Sequence, residues 1–193
     1  MASTRILVLA DVHYPHTVMP ALEAALSEPA DRVVLLGDAV DSPSSLPDLL
    51  NRASSSGAEV VLVRGDNEER MGIPGLERYE PDGMGVVLLH GHRGNLLGER
   101  FTKAVARAGA RVSRGLVLGA YAMRVRVRGR VAVVGHAHAL GYSRRFRVVF
   151  AGSLSQPSPS RPFNEVGYAV IEGSEVELRD GAGRRVLSVP LGP

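Results

Sequence analysis

Histidine and aspartate side chains occur in short clusters along this sequence, and they are the groups best suited to chemistry. Five of the six histidines lie in three clusters, Asp11-Val12-His13, His90-Gly91-His92 and His136-Ala137-His138. Imidazole and carboxylate ligands together suit borderline divalent metals such as Mn, Fe, Zn, Co and Ni. Because these groups outnumber the ligands of one tetrahedral zinc ion, two ions that share a carboxylate are the economical interpretation.

Each cluster comes after a short apolar run that is typical of a strand buried on both faces. Asp38 and Asp66 also follow such runs. In a parallel sheet the carboxyl ends of the strands meet at one edge, where ligands normally bind. We therefore expect the clusters to converge at one edge. The runs are Arg5–Ala10, Arg32–Leu36, Glu59–Val63, Val86–Leu89, Val131–Val134 and Arg147–Phe150.

Helical patterns separate the first of these runs. Val18–Leu26 and Leu46–Ser55 fit helices, and alternation of strands with helices predicts a largely parallel sheet covered by helices. After residue 165 the helical patterns stop, and a meander of three strands is expected at Gly167–Ile171, Glu175–Arg179 and Arg184–Val189. Neither an internal repeat nor a long linker divides the chain, so we expect one domain over residues 1–193.

Composition excludes several classes of protein. Hydrophobic residues make up 45% of the 193 residues, which is enough for a buried core. Cysteine is absent, which excludes disulfides, thiolate metal sites and cysteine nucleophiles. The first ten residues lack the layout of a signal peptide, and no apolar stretch is long enough for a membrane span. We expect a soluble cytoplasmic protein.

A basic segment interrupts the pattern of strands and helices. The segment 100–147 holds 12 cations and no acid, which leaves 11 cations against 20 acids elsewhere. Within an insertion at about 94–130, cations from Arg100 to Arg114 recur at helical spacing, whereas Arg124–Arg128 alternates like a strand. The segment fits a solvated face, a funnel for anionic substrates, a nucleic-acid surface or a contact in a homo-oligomer. Aromatic residues are only 5% of the chain, so few side chains are available on which nucleic-acid bases could stack.

The order of the motifs resembles that of the calcineurin-like metallophosphoesterases. The matching motifs are Asp11–His13, Gly37–Asp41, Gly65–Glu68, His90–His92 and Gly135–His138. The segment Phe150–Pro157 also looks like the Asn-Pro-Gly-Ser segment of the small archaeal and bacterial phosphodiesterase branch, which is related to the retromer sorting subunit. The resemblance implies a four-layer α/β/β/α sandwich of two mixed β-sheets flanked by helices.

The resemblance also implies two divalent metal ions, with Mn²⁺ as the first choice and Ni²⁺, Co²⁺, Fe²⁺ or Zn²⁺ as alternatives. Two such ions activate a bridging water that attacks phosphorus. His92 would contact the phosphate or protonate the leaving oxygen, and Asp41 and Glu68 would orient ligand imidazoles. One ion would be held by Asp11, His13, Asp38 and His138, and the other by Asp38, the oxygen ligand of the third motif, His90 and His136.

The third motif departs from the family pattern. The family's asparagine ligand is replaced by Asp66, and the following histidine or cysteine by Asn67. Either Asp66 is the ligand, which we favour, or a slight shift presents Asn67. Asn67 also occupies a position near the phosphate in the family, so it joins Asp38 and His92 as a candidate catalytic residue. If Asp66 is the ligand, we expect tighter metal binding and a higher pKa of the activated water.

These observations together predict a metal-dependent phosphoesterase that prefers phosphodiesters to monoesters. Arg93, Arg144 and Arg145 lie next to the motifs and are candidate substrate contacts. Ser153 and Ser155 are expected to order their loop rather than to act as nucleophiles. Two rival functions stay open. The basic segment suggests a nuclease on DNA or RNA, and the altered third motif suggests a non-catalytic scaffold similar to the retromer subunit.

Overall fold

Two β-sheets pack face to face in this chain, with helices on the outer side of each sheet. The computed structural model describes residues 4–92, 109 and 113–192. The helices are α1 (Met19–Leu26), α2 (Leu46–Ala53), α3 (Asp66–Met71) and α4 (Arg114–Val125), and the strands are β1 (Arg5–Leu9), β2 (Arg32–Leu36), β3 (Glu59–Val63), β4 (Arg78–Tyr79), β5 (Val86–Leu89), β6 (Val131–Val134), β7 (Leu140–Ser143), β8 (Val148–Ala151), β9 (Gly167–Glu172), β10 (Glu175–Asp180) and β11 (Arg185–Pro190).

The first sheet has six strands in the order β11-β10-β9-β1-β2-β3. Strands β1, β2 and β3 are parallel, and their connections through α1 and α2 follow from the strand–helix alternation of the sequence. Strand β9 pairs antiparallel with β1, and β10 and β11 continue the meander. The predicted meander is therefore confirmed, and it makes this sheet mixed rather than largely parallel.

The second sheet has five strands in the order β4-β5-β6-β8-β7. Its three central strands are parallel, while β4 and β7 pair antiparallel at the two edges. The sequence patterns did not indicate either edge strand. Strand β4 has only two residues, and the four residues of β7 are half-buried, so neither contains a continuous apolar run.

Three apolar layers hold the sheets and helices together. Residues such as Val8 and Val133 fill the space between the sheets. Leu7 and Leu22 belong to the layer under α1 and α2, and Phe150 belongs to the layer under α4. Successive residues of a strand point to opposite faces, so a strand between two layers is apolar throughout. The four-layer α/β/β/α sandwich is confirmed.

The chain around α4 differs from its prediction. Helix α4 begins after Ser113, whose Oγ accepts a hydrogen bond from the Leu116 N–H at 3.3 Å. It ends at Val125, which is buried, so the predicted strand pattern over Arg124–Arg128 is wrong. Most of the predicted basic helix up to Arg114 lies outside the described residues. None of the helices in the described ranges is long and apolar enough to cross a membrane.

Candidate metal centre

The candidate site lies where strands of both sheets end. Asp11, Asp38 and Asp66 follow β1, β2 and β3 in the first sheet, and His90 and His136 follow β5 and β6 in the second. These strands are parallel within each sheet, so their carboxyl ends lie at a common edge. The structure therefore brings together the clusters that the sequence predicts to converge.

The converging side chains form two adjoining groups of ligand atoms. Asp38 joins the two groups, because its Oδ2 lies 3.6 Å from Nε2 of His90 and 3.8 Å from Nε2 of His13. Within each group the ligand atoms lie within 4.8 Å of one another. One group consists of Asp38, Asp66, His90 and His136, and the other consists of Asp11, His13 and His138.

Backbone strain is concentrated at this centre. In the described residues six positions other than glycine have a positive φ, and only Arg147 lies outside the candidate ligands. Such a conformation costs about 1–3 kcal/mol per residue, and it persists where the surrounding structure over-determines it. The other five positions are Asp11 (φ 48°), His13 (φ 51°), Asp38 (φ 48°), His136 (φ 59°) and His138 (φ 50°).

His90 is oriented by the strand beside it. Its Nδ1 donates a hydrogen bond to the Leu36 carbonyl at 2.9 Å, which directs Nε2 toward Asp38. Burial lowers the pKa of His90, but contacts with Asp38 and the charge of Asp11 outweigh burial and raise the pKa to about 10. The ring is therefore protonated in the metal-free protein. A metal ion that binds Nε2 replaces this proton.

His13 is oriented by a carboxylate. Its Nδ1 lies 2.7 Å from Oδ1 of Asp41, so Nε2 faces the centre. The second oxygen of Asp41 lies 2.8 Å from Nδ1 of the exposed His16. Burial alone would raise the pKa of Asp41. The hydrogen bonds and charges of the two imidazoles outweigh burial, so this pKa lies below its usual range. The carboxylate therefore stays ionised and holds the His13 ring, as the resemblance implies.

The pKa values of Asp11 and Asp38 shift in opposite directions. Burial raises the pKa of Asp11 to about 7, and His90 only partly offsets this. Burial also raises the pKa of Asp38, but His90, the Asn67 N–H and His13 lower it well below its usual range. One oxygen of Asp11 accepts the His136 N–H at 2.8 Å. Its other oxygen, Oδ1, is buried without a hydrogen bond in the described part of the chain.

The chemistry of this donor set fits metal ions. Asp11 Oδ1, His13 Nε2 and His90 Nε2 are all buried and lack hydrogen-bond partners among the described residues. Leaving several buried polar atoms unpaired is costly unless another group satisfies them. Imidazole nitrogens and carboxylate oxygens at this spacing satisfy divalent cations. The clusters therefore fit a binuclear divalent metal site.

The third motif places its two polar residues differently. The Asp66 carboxylate belongs to the ligand groups, with Oδ2 3.4 Å from Nδ1 of His136. The Asn67 side chain instead donates to the Val40 carbonyl at 3.0 Å and to Asp41 Oδ1 at 3.1 Å. Of the two alternatives from the sequence, the geometry favours Asp66. The expected contact of Asn67 with phosphate is not supported, because its amide is engaged in the loop after β2.

Glu68 also acts differently from the expectation. It is fully buried, and its carboxylate accepts the backbone N–H groups of Asp38, Ala39 and Gly65, each at 2.8 Å. It therefore fixes the backbone of the ligand loops rather than an imidazole. A Cβ at Gly65 would lie only 2.4 Å from the Asp38 backbone nitrogen, so glycine is required there.

His92 lies at the margin of the centre beside α3. Its Nδ1 is 3.8 Å from Oδ1 of Asp66, and its Nε2 is 3.2 Å from Oε2 of Glu69. Both ring nitrogens are buried and have no hydrogen bond in the described residues. The ring is therefore next to the ligand groups without being part of them, and two carboxylates face its nitrogens.

The predicted arginine contacts are not brought to the centre. Arg144 and Arg145 lie in the turn before β8, whereas the centre lies beyond the carboxyl ends of the parallel strands. The length of β8 separates the two ends of the sheet by about 13 Å at the usual rise per residue. Proximity to a motif in sequence was therefore a poor guide. Arg93 lies outside the described residues.

Sequence reasoning missed Arg161. Its Nη1 donates to Ser155 Oγ at 2.7 Å and to the Gln156 carbonyl at 2.9 Å. Ser155 Oγ in turn lies 3.4 Å from Nδ1 of His138 and 2.7 Å from Oγ of Ser153. The two serines therefore order the loop, as expected. Burial lowers the pKa of His138, and the charge of Arg161 adds to this effect. A single arginine in a Ser/Pro-rich loop has no pattern that would identify it.

Tyr121 on α4 was also missed. Its ring stacks on His136 with 6.1 Å between the centroids, and its buried hydroxyl has no hydrogen bond in the described ranges. A Cβ at Gly91 would lie 2.3 Å from this hydroxyl, so the tyrosine reaches the loop between His90 and His92. The apolar stretch around Tyr121 suggested only core packing. Its contact with the candidate ligand His136 depends on how α4 packs against the second sheet, which the sequence pattern does not indicate.

Several solved structures share the fold. Vps29 from Entamoeba histolytica, as a single mutant, is 20% identical with a TM-score of 0.60, and the match covers 98% of this chain and 100% of that one. A metallophosphoesterase from Sphaerobacter thermophilus is 19% identical with a TM-score of 0.52, covering 96% and 90%. A dimetal phosphatase from Danio rerio is 12% identical with a TM-score of 0.54, covering 100% and 99%.

The sequence itself identifies the family. A search of curated proteins found no match. The family profile of the calcineurin-like phosphoesterase superfamily domain matches residues 4–175, which include every candidate ligand and both sheets except for β11 and all but the first residue of β10. The match therefore spans most of the chain and agrees with the fold, the order of the motifs and the two groups of ligand atoms. The chain belongs to the calcineurin-like phosphoesterase superfamily.

Proposed function

We propose that this protein is a binuclear-metal-dependent phosphoesterase that hydrolyses phosphodiesters. The observation that carries the proposal is the position of Asp38, whose Oδ2 faces ligand nitrogens of both groups. A carboxylate shared in this way, beside buried ligand atoms without partners, is the arrangement that two nearby cations require. Membership of the superfamily supports metal-dependent phosphoester chemistry in general.

We assign one ion to Asp11, His13 and His138 and the other to Asp66, His90 and His136, with Asp38 shared. When bound, two divalent ions lower the pKa of water and offset the charge of phosphoryl oxygens. Mn²⁺ is our first choice because the mixed imidazole and carboxylate donors suit it, and Ni²⁺, Co²⁺, Fe²⁺ and Zn²⁺ accept the same donors. The substituted third motif contributes a carboxylate, which favours cation binding.

Two side chains of this protein are suited to act on the substrate. The His92 ring lies beside the second group, with Nδ1 3.8 Å from Asp66 and Nε2 3.2 Å from Glu69, so it can deliver a proton to the leaving oxygen. The Arg161 guanidinium is held by Ser155 near Asp11 and Asp38, whose charges act on it. A guanidinium in this position orients a phosphate by charge-assisted hydrogen bonds.

A nuclease is a second candidate, motivated by the basic segment. In its described part, however, Arg114 pairs with Glu165 at 2.7 Å, and Arg130 pairs with Glu80. These two cations are already engaged within the fold. Steeply salt-dependent binding of an oligonucleotide would favour this candidate.

A non-catalytic scaffold is the third candidate, and the likeness in fold to Vps29 motivates it. Against it, the imidazole and carboxylate donors are complete in this chain, and five of them adopt a strained backbone. A scaffold that binds partners elsewhere has no need of that strain. Metal binding without any turnover would favour the scaffold.

The direct test uses metal-stripped protein and two chromogenic substrates, bis(4-nitrophenyl) phosphate and 4-nitrophenyl phosphate. Each of Mn²⁺, Ni²⁺, Co²⁺, Zn²⁺ and Mg²⁺ is added back, with Asp38→Ala as the inactive control. We expect turnover of the diester that depends on metal and is lost in Asp38→Ala. Preference for the monoester would overturn the substrate class, and no turnover by protein that binds metal would overturn the enzymatic assignment.

A further inference from the structure

A cavity of about 340 Å³ lies beside the candidate metal centre, bounded by α3, the end of β5 and the end of α4. His90, Gly91 and His92 line it on the side of the centre. His92 links the two spaces, because its ring lies 3.8 Å from Asp66 and 3.2 Å from Glu69, which also lines the cavity. The cavity therefore adjoins the metal centre at His92.

The cavity contains more positive than negative charge. Arg64, Arg124 and Arg126 line it, together with Glu69 and Glu77. Arg64 lies 3.5 Å from Glu77, and its Nε is buried without an acceptor in the described residues. We name this space the arginine cavity.

Two of its cations have no carboxylate partner. Arg124 and Arg126 are exposed and take part in no ion pair with the described residues, and Arg126 only stacks over Phe146 at 5.7 Å. Unpaired guanidinium groups at the mouth of a cavity attract anions and can bind them with two hydrogen bonds each. Both cations are therefore available to a ligand, Arg126 with its guanidinium over the Phe146 ring.

The remaining walls are apolar. Leu89, Val125 and Val127 line the arginine cavity between the cations. Its volume lies at the lower end of the range for ligand pockets, which is about 300–1,000 Å³. A group of about the size of a sugar or a nucleoside fits such a volume, whereas a single inorganic ion leaves the apolar walls uncovered.

We propose that the arginine cavity binds the organic group next to the scissile phosphate, and that this group carries a second negative charge. The inference rests on the proposed phosphodiesterase function and narrows its substrate class to small diesters with a further anionic group. The scissile phosphate would lie at the metal centre, His92 beside the ester oxygen, and the second anion at Arg124 and Arg126.

The first experiment measures binding to the metal-free full-length protein by calorimetry, with adenosine 5′-monophosphate and adenosine as probes. We expect the monophosphate to bind more tightly than adenosine. The double substitution Arg124→Gln with Arg126→Gln should weaken this binding by about tenfold or more, the equivalent of one charge-assisted contact. Arg128→Gln is the matched control, because Arg128 belongs to the same segment but does not line the cavity.

The second experiment measures hydrolysis by the metal-loaded protein of the dinucleotide ApA and its phosphorylated forms pApA and ApAp. One phosphorylated form should have a higher kcat/KM than ApA, and the double variant should lose this advantage, whereas Arg128→Gln should keep it. Equal kcat/KM for the three, or binding of the monophosphate that is unaffected by the double substitution, would overturn the inference. Charge-dependent binding without hydrolysis of any diester would overturn the proposed function instead and retain an anion site.

Discussion

Asp11 and Asp38 show how residues of one type acquire different properties at one site. Both are buried beside His90, yet the pKa of Asp11 is raised to about 7, whereas that of Asp38 lies well below its usual range. Asp38 lies between the imidazoles of His90 and His13 and accepts the Asn67 N–H at 2.8 Å. Asp11 Oδ1 has no hydrogen bond in the described residues, and burial lowers the pKa of the imidazole beside it, His138 at 3.5 Å, so burial dominates at Asp11. The metal-free centre is therefore costly to the fold, and metal binding removes that cost.

Replacing Asp11 by asparagine should stabilise the metal-free protein at high pH. A carboxyl group whose folded pKa is about 7, against 3.8 when unfolded, makes the fold less stable as pH rises between these values. At pH 8 the cost is on the order of 4 kcal/mol. Asparagine keeps an oxygen for the His136 N–H but carries no charge. Urea unfolding with chelator should show the gain of Asp11→Asn over wild type growing from pH 5 to pH 8.

A gain that is the same at both pH values would contradict this explanation, because it would not arise from ionisation of Asp11. Asp82→Asn provides the control. Asp82 is an exposed carboxylate in the turn before β5, at the end of the sheet away from the centre. Because its carboxylate is exposed, its replacement should change the free energy of unfolding little.

Replacing Asp66 by asparagine should weaken metal binding and restore the residue type of the family pattern. Three carboxylates in the centre oppose the charge of two divalent ions, and removing one reduces the attraction. We expect a loss of about tenfold or more in affinity for the more weakly held ion, within the range seen for changes around metal sites. With one carboxylate fewer, water is activated at lower pH, so the acidic limb of the pH–rate profile should also move to lower pH.

Both effects are measured on the same preparation, by titration of metal-stripped protein with Mn²⁺ and by the rate of diester hydrolysis against pH. Asp82→Asn again controls for the loss of one charge. An unshifted acidic limb together with unchanged metal affinity would show that Asp66 is not a ligand.

At the scale of residues, the sequence indicated which side chains converge, but it did not indicate what the groups around them contact. Asp38 and His90 were identifiable because they follow apolar strands in a fixed order of motifs. The role of Glu68 was not identifiable, because it depends on which backbone N–H groups of the loop after β2 lie within reach. The positions of Asn67 and Arg145 were not identifiable for the same reason, since neighbours in sequence point in different directions once the loops and strands take shape.

At the scale of elements, α4 connects the core of the second sheet to the metal centre. Its buried Leu118 and Ala122 belong to the apolar layer that also contains Phe150, and this packing places Tyr121 against His136. The element was only partly predictable. The alternation of arginine and valine after Met123 mimics a strand, but Val125 is buried as the last residue of the helix. A pattern of period two over a few residues is weak evidence where a helix ends in an apolar residue.

The contact between α4 and the ligand loop predicts a coupling between Gly91 and Tyr121. Gly91 has φ +96°, and a Cβ there would lie 2.3 Å from the Tyr121 hydroxyl. Gly91→Ala should therefore destabilise the protein through backbone strain of about 1–3 kcal/mol and through the clash. Tyr121→Phe removes only the hydroxyl, so the cost of Gly91→Ala should be smaller in the Tyr121→Phe background.

A double-mutant cycle of unfolding free energies measures this coupling. The four proteins are wild type, the two single variants and the double variant, all without metal. Additive effects would mean that α4 does not lie on the ligand loop as described. Gly83→Ala is a comparison for strain alone, because Gly83 has φ +72° and no atom within 4 Å of an added Cβ.

At the scale of the whole molecule, two sheets contribute to one centre through pairings that are distant in sequence. Strand β1 joins β9, with Leu7 opposite Val170, and this pairing is what places the C-terminal meander in the first sheet. Apolar runs alone predicted a single, largely parallel sheet, because they contain no information about which strands pair. The division into two sheets was predictable only from the order of the motifs and its resemblance to a family.

The distribution of charge over the molecule gives the last prediction, which separates a small-diester enzyme from a nuclease. In the described residues, Arg114 and Arg130 are paired with acids, and the turn with Arg144 lies at the end of the sheet away from the centre. The unpaired Arg124 and Arg126 provide only a few phosphate contacts. We expect the KM of ApAp and that of a single-stranded 20-mer to rise with salt along similar shallow slopes.

For a single strand, the slope of log affinity against log salt is about −0.7 per phosphate contact. Two or three contacts therefore give a slope near −2, whereas a polymer that follows a long basic surface gives a much steeper one. Kinetics between 50 and 300 mM NaCl with both substrates measure the difference. A 20-mer slope several times that of ApAp would assign the basic segment to nucleic acid and contradict the small-diester substrate class. Matching slopes would support Arg124 and Arg126 as the cations that bind the substrate, with no contribution from a longer basic surface.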